Sequence, residues 1–329
     1  MSFFTVRYAP GTVTLIDQTK LPTEETYVDL TTVEDVARAI ETMVVRGAPA
    51  IGITAAYGMA VAARTGVPFE EADARLRRTR PTAVNLFWAL DRMKAKWGDD
   101  TAAIETEAQA IYDEEVAASE AMAKIGEEII EDGASILTHC NAGALATAEL
   151  GTALAVIRGA HRAKKNIRVF ADETRPVLQG ARLTAWELMR DGIDVTVVAD
   201  GAVAHLLATE QVDVAVTGAD RIAANGDAAN KIGTRGVACL FYHHGRPFYV
   251  AAPWSTVDMS LASGDLIEIE ERNPEEVTTV RGVRVAPEGV KVRNPAFDVT
   301  PAAWIRGIAT ERGLAKPNLG EALAKMAKK

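Results

Sequence analysis

The chain has 329 residues, 48 % hydrophobic and 25 % charged, with a net charge of −9. That length supports a substantial core, in two domains or one large one, and the acidic balance leaves no basic footprint for nucleic acid. Its two cysteines, Cys140 and Cys239, form no CxxC and no disulfide framework, which predicts free thiols in a reducing compartment. No signal peptide or membrane span is legible, because the Ala-rich stretch from Ala48 to Ala63 is broken by Gly52, Tyr57 and Gly58; the expected location is the cytoplasm.

Residues 3–30 alternate polar and apolar around Gly11 and Pro22, as a small antiparallel β element would. Thr31-Thr32 with Asp35 read as an N-cap and capping box, followed by Val33, Val36, Ala37, Ile40, Met43 and Val44 at helical spacing. That helix stops at Arg46-Gly47, and Pro49 opens the next, which runs to about Arg64. Further helices are expected over 69–78, 82–97 and 101–131, the last burying Ile104, Ala108, Ile111, Val116, Met122, Ile125 and Ile129. From Gly133 the pattern changes to short apolar runs separated by helical segments. Strands are predicted over 135–138, 167–171, 194–198, 212–217, 238–242 and 248–251, and helices over 144–162, 181–190, 203–209 and 231–237. Such alternation means right-handed βαβ units on a parallel sheet. A hairpin over 280–292, a short helix over 301–312 and a terminal helix or frayed tail from Gly320 complete the chain. The expected organisation is α/β: a small β plus helical N-terminal domain, 1–132, then a Rossmann-like parallel-sheet C-terminal domain, 133–329.

The chemistry is sought at the strand ends. There is no GxGxxG after a strand, no Walker-type loop, no HExxH and no nucleophile elbow, and the histidines lack ligand spacing, so neither a dinucleotide nor a metal is expected. Polar residues instead follow the apolar runs: His139-Cys140-Asn141, Asp172-Glu173-Thr174-Arg175 with Gln179, Gly218-Ala219-Asp220-Arg221, Asn230-Lys231 at an expected helix start, and Ser255 to Asp258. In a parallel sheet these collect at one carboxyl edge, where open α/β sheets bind ligands. Each has a bland reading: a lone Asp220 is a turn former, Arg175 pairs with Asp172 or Glu173, and Cys239 is core. Cys140 differs, since it stands at a strand exit beside a Gly turn whose N–H groups are free to hold an anion. One crevice collecting all of them by accident is the less economical account.

These residues resemble the methylthioribose-1-phosphate isomerase family, which is grouped with ribose-1,5-bisphosphate isomerases and with regulatory subunits of a translation-initiation exchange factor. The matching segments are Arg46-Gly47-Ala48-Pro49-Ala50-Ile51-Gly52, Arg80-Pro81-Thr82-Ala83-Val84-Asn85-Leu86, Thr138-His139-Cys140-Asn141, Glu173-Thr174-Arg175-Pro176 with Gln179-Gly180-Ala181-Arg182, Gly218-Ala219-Asp220-Arg221-Ile222 through Asn230-Lys231-Ile232-Gly233-Thr234, and Asn294-Pro295-Ala296-Phe297-Asp298. The resemblance implies Cys140 and Asp220 as the catalytic pair and Arg46, Gly47, Ala48, Arg80, Gln179, Asn230 and Lys231 as the substrate-binding set. It further implies a homodimer acting in methionine salvage on a sugar phosphate, with no metal, cofactor, nucleic acid or membrane. Two positions depart from the family pattern: Glu149-Leu150 stands where Gly-Tyr is more common, and Arg235 where Tyr is.

An aldose phosphorylated at C1 cannot open freely to an aldehyde, because its anomeric oxygen is capped. Asp220 is expected to protonate the ring oxygen, which requires an apolar crevice to keep it neutral at physiological pH. Cys140 is expected to serve as base through a thiolate whose pKa is lowered by a cation or a helix N-terminus, in a proton transfer or a hydride shift between C2 and C1. Arg46, Arg80 and Lys231, with N–H groups near Gly47, would hold the phosphate. The alternatives are the same chemistry on 5-deoxyribose 1-phosphate or ribose 1,5-bisphosphate, and a non-catalytic subunit sensing a nucleotide or sugar phosphate. A dehydrogenase is disfavoured by the missing glycine fingerprint.

Overall fold

The structure, a computed structural model, describes residues 3–80, 84–98, 100–209 and 212–328. The predicted β element is a three-stranded antiparallel meander, β1 (Val6–Ala9), β2 (Thr12–Ile16) and β3 (Tyr27–Leu30). The helices α1 (Val33–Glu41), α2 (Ala48–Thr65), α3 (Phe69–Arg77), α4 (Val84–Lys96) and α5 (Thr101–Ile129) follow. The capping box is formed: Asp35 N donates to Thr32 Oγ1 at 3.1 Å, and that hydroxyl donates to the Asp35 carboxylate at 2.7 Å. Residues 81–83, inside one of the matching segments, lie outside the described residues.

Helix α2 is buried on every side from Ala50 to Ala62. Its run of Ala and Gly gives a thin rod that α1, α3, α4 and α5 can all approach. Helix α5 serves two cores. Ile104, Ala108 and Ile111 pack with the N-terminal helices, whereas Ala118, Met122 and Ile125 pack against the sheet. Its crossing with α6 (Ala153–Arg162) is unusually close. A Cβ on Gly126 would lie 2.0 Å from Val156 O, and one on Gly159 would lie 1.8 Å from Ala123 O, so only glycine fits at either place.

Among the described residues the main sheet has seven strands. In chain order they are β4 (Ser135–Thr138), β5 (Arg168–Asp172), β6 (Asp194–Val198), β7 (Val214–Thr217), β10 (Phe248–Ala251), β15 (Gly307–Thr310) and β16 (Gly313–Ala315). Their spatial order is β16-β15-β10-β7-β4-β5-β6, parallel throughout except for β16. Helices α6, α7 (Ala185–Arg190), α8 (Val203–Thr209) and α9 (Thr234–His243) connect them. The chain runs outward from β4 through β5 to β6, then returns to β7 on the other side of β4. The switch point therefore lies between β4 and β7, and a crevice opens at their carboxyl ends. A second sheet, in the order β11-β8-β9-β14, flanks this edge; it contains β8 (Arg221–Ala223), β9 (Ala228–Lys231), β11 (Val257–Asp258) and β14 (Phe297–Thr300). The small elements α10 (Glu275–Thr278), β12 (Thr279–Val280) and β13 (Val283–Arg284) precede β14, and α11 (Leu319–Met326) ends the chain.

Several expectations are corrected. The apolar run 238–242 lies inside α9, where Thr234, Val237, Ala238 and Phe241 form a buried stripe at helical spacing; a run this short fits either period. The helix expected over 301–312 is a single turn, Ala302–Trp304, followed by strand β15, which is buried on both faces. The segment 144–162 is a short turn, Ala144–Ala146, then a loop, with α6 starting only at Ala153. Asn230 and Lys231 end strand β9 rather than starting a helix. The hairpin is only β12 paired with β13. On α5 the buried position is Glu115 and not Val116, which is only half-buried.

Burial pushes the Glu115 carboxyl up to about 8, with Glu311 adding like-charge repulsion. A carboxyl raised in the folded state keeps a proton that the unfolded chain releases, so it lowers stability as pH rises from about 4.5 to about 8. Glu115→Gln is expected to exceed the parent by about 3 kcal/mol at pH 7 and to match it at pH 4 in urea unfolding. Equal stability at pH 7 would contradict this.

Candidate active site

Cys140 lies two residues beyond β4 and Asp220 three beyond β7, so the switch point sets them on adjacent strand ends. One cavity is lined by both, and by Arg46, Gly47, Ala48, Arg80, Gln179, Asn230 and Lys231. All nine residues singled out in the sequence thus meet in one place. The remaining wall includes the apolar side chains Met43, Ile51, Val84, Val177, Ile267 and Phe297.

The turn carrying Cys140 is held from behind. Cys140 has φ 66°, a left-handed conformation that a non-glycine residue adopts only when its surroundings impose it. Its N–H donates to Thr174 Oγ1 at 2.8 Å, and Thr184 Oγ1 donates to its carbonyl at 2.7 Å. Neighbouring His139 spans the site's base: Nδ1 meets Asp172 Oδ2 and Nε2 meets the Ile232 carbonyl, each at 2.9 Å. A carbonyl only accepts, so Nε2 carries a proton. Burial pulls His139 down, but the Asp172 carboxylate outweighs it and the net direction is up. His139, Asp172 and Asp200 cluster, and Asp200 accepts the Thr174 and Arg175 N–H groups at 2.7 Å each. These bonds make the cluster a strut between the Cys140 turn and the segment that follows Lys231.

Glu187, fully buried on α7, organises the other side. It accepts from Ala144 N at 2.8 Å, Leu145 N at 3.2 Å and Asn141 Nδ2 at 2.9 Å, and pairs with buried Arg158 at 2.9 Å. Those N–H groups are therefore committed, and the expectation that they are free to hold an anion is corrected. What they hold is a carboxylate of the protein itself. Asn141, so oriented, accepts from Arg46 at its side-chain oxygen and, at 2.9 Å, at its carbonyl; Arg46 Nε also reaches Gln18 Oε1 at 3.3 Å. The chain Arg158–Glu187–Asn141–Arg46 fixes one cavity guanidinium in place. Beside it Gly47 has φ 94°, and a Cβ there would lie 2.6 Å from Ala146 Cα, so α2 can present its N-terminus to the cavity only through glycine.

Across the crevice, Lys231 Nζ donates to the Ala296 carbonyl at 2.9 Å and lies over the Phe297 ring at 4.7 Å. Asn230 Nδ2 donates to Thr234 Oγ1 at 2.9 Å, and buried Gln179 keeps Oε1 without a partner among the described residues. Desolvation governs the titrations. It pushes Asp220 above the usual carboxylate range against the pull of Lys231, Arg46 and Arg80. The surface Asp220 retains faces the cavity and not bulk water, which is why burial still dominates. It raises the Cys140 thiol too, although Arg46 and Lys231 oppose it, and this reverses the expectation of a lowered thiol. Lys231 is drawn down by burial, with Cys140 and Asp220 resisting. Arg80 is lowered by burial and by Arg272.

Across 96 % of its length this chain is 55 % identical to methylthioribose-1-phosphate isomerase from Citrifermentans bemidjiense, matching 96 % of that protein. The chain belongs to the methylthioribose-1-phosphate isomerase family. The protein of that name from Koribacter versatilis is 52 % identical, over 98 % of this chain and 96 % of its own. The crystal structure of 5-methylthioribose 1-phosphate isomerase from Pyrococcus horikoshii superposes with a TM-score of 0.93 at 47 % identity, covering 99 % and 96 % of the two chains. A structure described as translation initiation factor eIF-2B, subunit delta, from A. fulgidus gives 0.90 at 41 % identity over the whole of both chains. The model of the initiation factor 2 subunit family matches residues 44–317.

Against the family pattern, the two departures fall outside the cavity wall. Glu149 accepts from Tyr112 OH at 3.3 Å, while Arg235 donates to the Val299 carbonyl and lies over Trp304. Sequence reasoning missed Arg272, which lines the cavity paired to Glu276 at 2.5 Å, because the acidic, Pro-broken stretch around it has no period. It also missed Glu187, whose place on the buried face of α7 was the available cue. Removing that carboxylate leaves buried Arg158 with Asp191 as its remaining ion-pair partner among the described residues, beside the Leu150 carbonyl to which it donates at 2.6 Å. Glu187→Ala is expected to lose about 3–5 kcal/mol of stability; urea unfolding reads it, and a loss below about 1 kcal/mol would contradict the relay.

Proposed function

We propose that this chain is an aldose-ketose isomerase converting 5-methylthioribose 1-phosphate into 5-methylthioribulose 1-phosphate in methionine salvage. The observation that carries the reading is the meeting of Cys140 and Asp220 on adjacent strand ends in one cavity with Arg46, Arg80 and Lys231. Family membership supports it, and so does the apolar part of the wall, which suits a methylthio group. A second phosphate is less well served: of the further cations there, Arg272 is engaged by Glu276 and Arg221 pairs with Asp258 at 3.8 Å, and Glu268 stands on the same wall. This favours the methylthio sugar over ribose 1,5-bisphosphate.

In the proposed reaction, Arg46, Arg80 and Lys231 bind the phosphate, aided by the α2 N-terminus at Gly47 and Ala48, while Gln179 and Asn230 hold sugar hydroxyls. Asp220, kept protonated by burial, delivers its proton to the ring oxygen as the C1–O bond to the ring breaks. Cys140 then takes a proton, from C2 in the enolisation route or from the C2 hydroxyl if hydride passes from C2 to C1. In the first route Cys140 returns the proton to C1 while the C2 hydroxyl gives its proton to the Asp220 carboxylate, and the ketose phosphate forms. Because burial raises the thiol, the thiolate is the scarcer form near neutrality, and the phosphate cations Arg46 and Lys231 are what draw it out.

We further propose a homodimer. The edge strand β6 and the adjoining α7 carry exposed apolar side chains, Val197 at 44 % and Met189 at 71 % exposure, and no partner strand covers this edge among the described residues. No helix of the described residues is long and apolar enough to cross a membrane. We propose that the enzyme works in the cytoplasm with both thiols free.

Cys140→Ser and Asp220→Asn are each expected to lower turnover of 5-methylthioribose 1-phosphate by at least about 10³ with the fold intact by circular dichroism. Near-parental activity in either would overturn the assignment. Because the reaction needs Cys140 ionised and Asp220 protonated at once, kcat/KM should follow a bell in pH, rising on the acid limb and falling on the alkaline one; a profile that keeps climbing through the alkaline range would contradict this joint requirement. Deuterium at C1 of product formed in D₂O supports the proton route, and its absence is compatible with hydride transfer.

A further inference from the structure

Helix α5 carries one buried side chain for which the isomerisation has no use. Ile111, Glu115 and Ala118 follow at helical spacing, so Glu115 occupies the apolar stripe, only 8 % exposed. No donor among the described residues reaches its Oε1. The residue opens on a second cavity, lined also by Asn85, Trp88, Trp254, Glu311 and Arg312. Asn85 is 2 % exposed; its Nδ2 donates to Ser255 Oγ at 3.1 Å, while its Oδ1 has no donor among the described residues. Two buried acceptors on one wall thus lack a donor among those residues.

We propose that this cavity is a binding site for a small organic ammonium ion, seated on the Glu115 carboxylate and Asn85 Oδ1 between the indoles of Trp88 and Trp254. A donating ligand suits Asn85 Oδ1, which only accepts, and both Glu115 oxygens once that carboxyl has given up its proton. A cation suits the ionised Glu115, because no cation among the described residues pairs with it. Glu311 repels it, Glu114 is already held by Arg92, and Arg312 is turned to the Trp254 ring, at 4.3 Å, and to the Met326 carbonyl, at 2.9 Å. From α2 the wall offers only Pro49, Gly52 and Ile53, and from α4 only Asn85 and Trp88, none of them charged. The two indoles, which already carry Arg92 at 5.1 Å and Arg312 at 4.3 Å from their ring centroids, leave apolar surface on the wall that suits the alkyl part of an organic cation over a hydrated metal ion. The site shares Pro49 and Pro253 with the first cavity and so lies directly behind it, yet it does not depend on the isomerase reading.

Binding is coupled to a proton. With Glu115 pushed up to about 8, about nine in ten molecules hold it protonated at pH 7, and an ammonium ion must expel that proton to the buffer. The test is calorimetric titration of the full chain with n-butylammonium chloride, in two buffers of different ionisation enthalpy, with potassium chloride at equal ionic strength as control. Expected are saturable binding with close to one proton released at pH 7, affinity about tenfold higher at pH 9 than at pH 7, and a silent potassium control. Glu115→Gln, which keeps the shape of the side chain, should bind at least about tenfold more weakly and lose the pH dependence. Absence of saturable binding by the parent, binding without proton release, equal binding of potassium, or unchanged binding in Glu115→Gln would each overturn the proposal. The proton count is read on the parent protein and so decides the matter even if the variant misfolds.

Discussion

Desolvation at the β4–β7 switch point is the interaction on which the site depends. Cys140 and Asp220 stand on neighbouring strand ends, and three cations, Arg46, Arg80 and Lys231, face the same cavity. In water such cations would pull both acids down. In the crevice burial wins, and both are pushed up. On the proposed reading, the outcome is an acid biased toward its protonated form beside cations that take the phosphate. An acid strong enough to protonate a ring oxygen and still protonated before it does so needs that balance.

The balance in turn needs walls that do not move. Thr174 and Thr184 hold the backbone of Cys140 in a left-handed conformation, and His139 links that turn to the carbonyl of Ile232. Glu187, neutralised by Arg158, takes the place an anion would otherwise occupy at the Ala144 and Leu145 amides, and it orients Asn141 toward Arg46. These supports come from α6, α7 and the loops after β4 and β5. The helical N-terminal part supplies Arg46, the α2 N-terminus and Arg80, so the cavity is complete only where the two parts meet.

The legible part of the sequence was whatever repeats with a period. Strands β4, β6 and β10 and helix α8 fall within the expected bounds to the residue, because each is a run closed by Gly, Pro or polar residues. Their shared carboxyl edge then placed the polar strand ends together. What failed was ambiguity of length: 238–242 reads as a strand but continues a helical stripe begun at Thr234, and β15 is four residues long behind Pro301 and a single turn. The second sheet was missed because β8, β9 and β11 are two to four residues each, too short to show alternation. Site energetics were legible for one group and not the other: the apolar run before Asp220 leads to the expectation of a raised carboxyl, and burial does raise it. The sequence shows a cysteine near cations, but only the fold reveals that burial outweighs them. Arg272 sits in an aperiodic segment that leaves no local pattern, whereas Glu187 was signalled only by its place on the buried face of α7, its partners lying 29 or more residues away.

The most direct test of this account is the titration of the Asp220 side-chain carboxyl in the intact protein, followed by carbon-13 NMR with Asp220→Asn to assign the signal. The account predicts a midpoint clearly above that of a free aspartate, despite Lys231, Arg46 and Arg80 nearby. A midpoint at or below the free value would mean that the cations prevail over burial, and Asp220 could not be the acid that opens the ring.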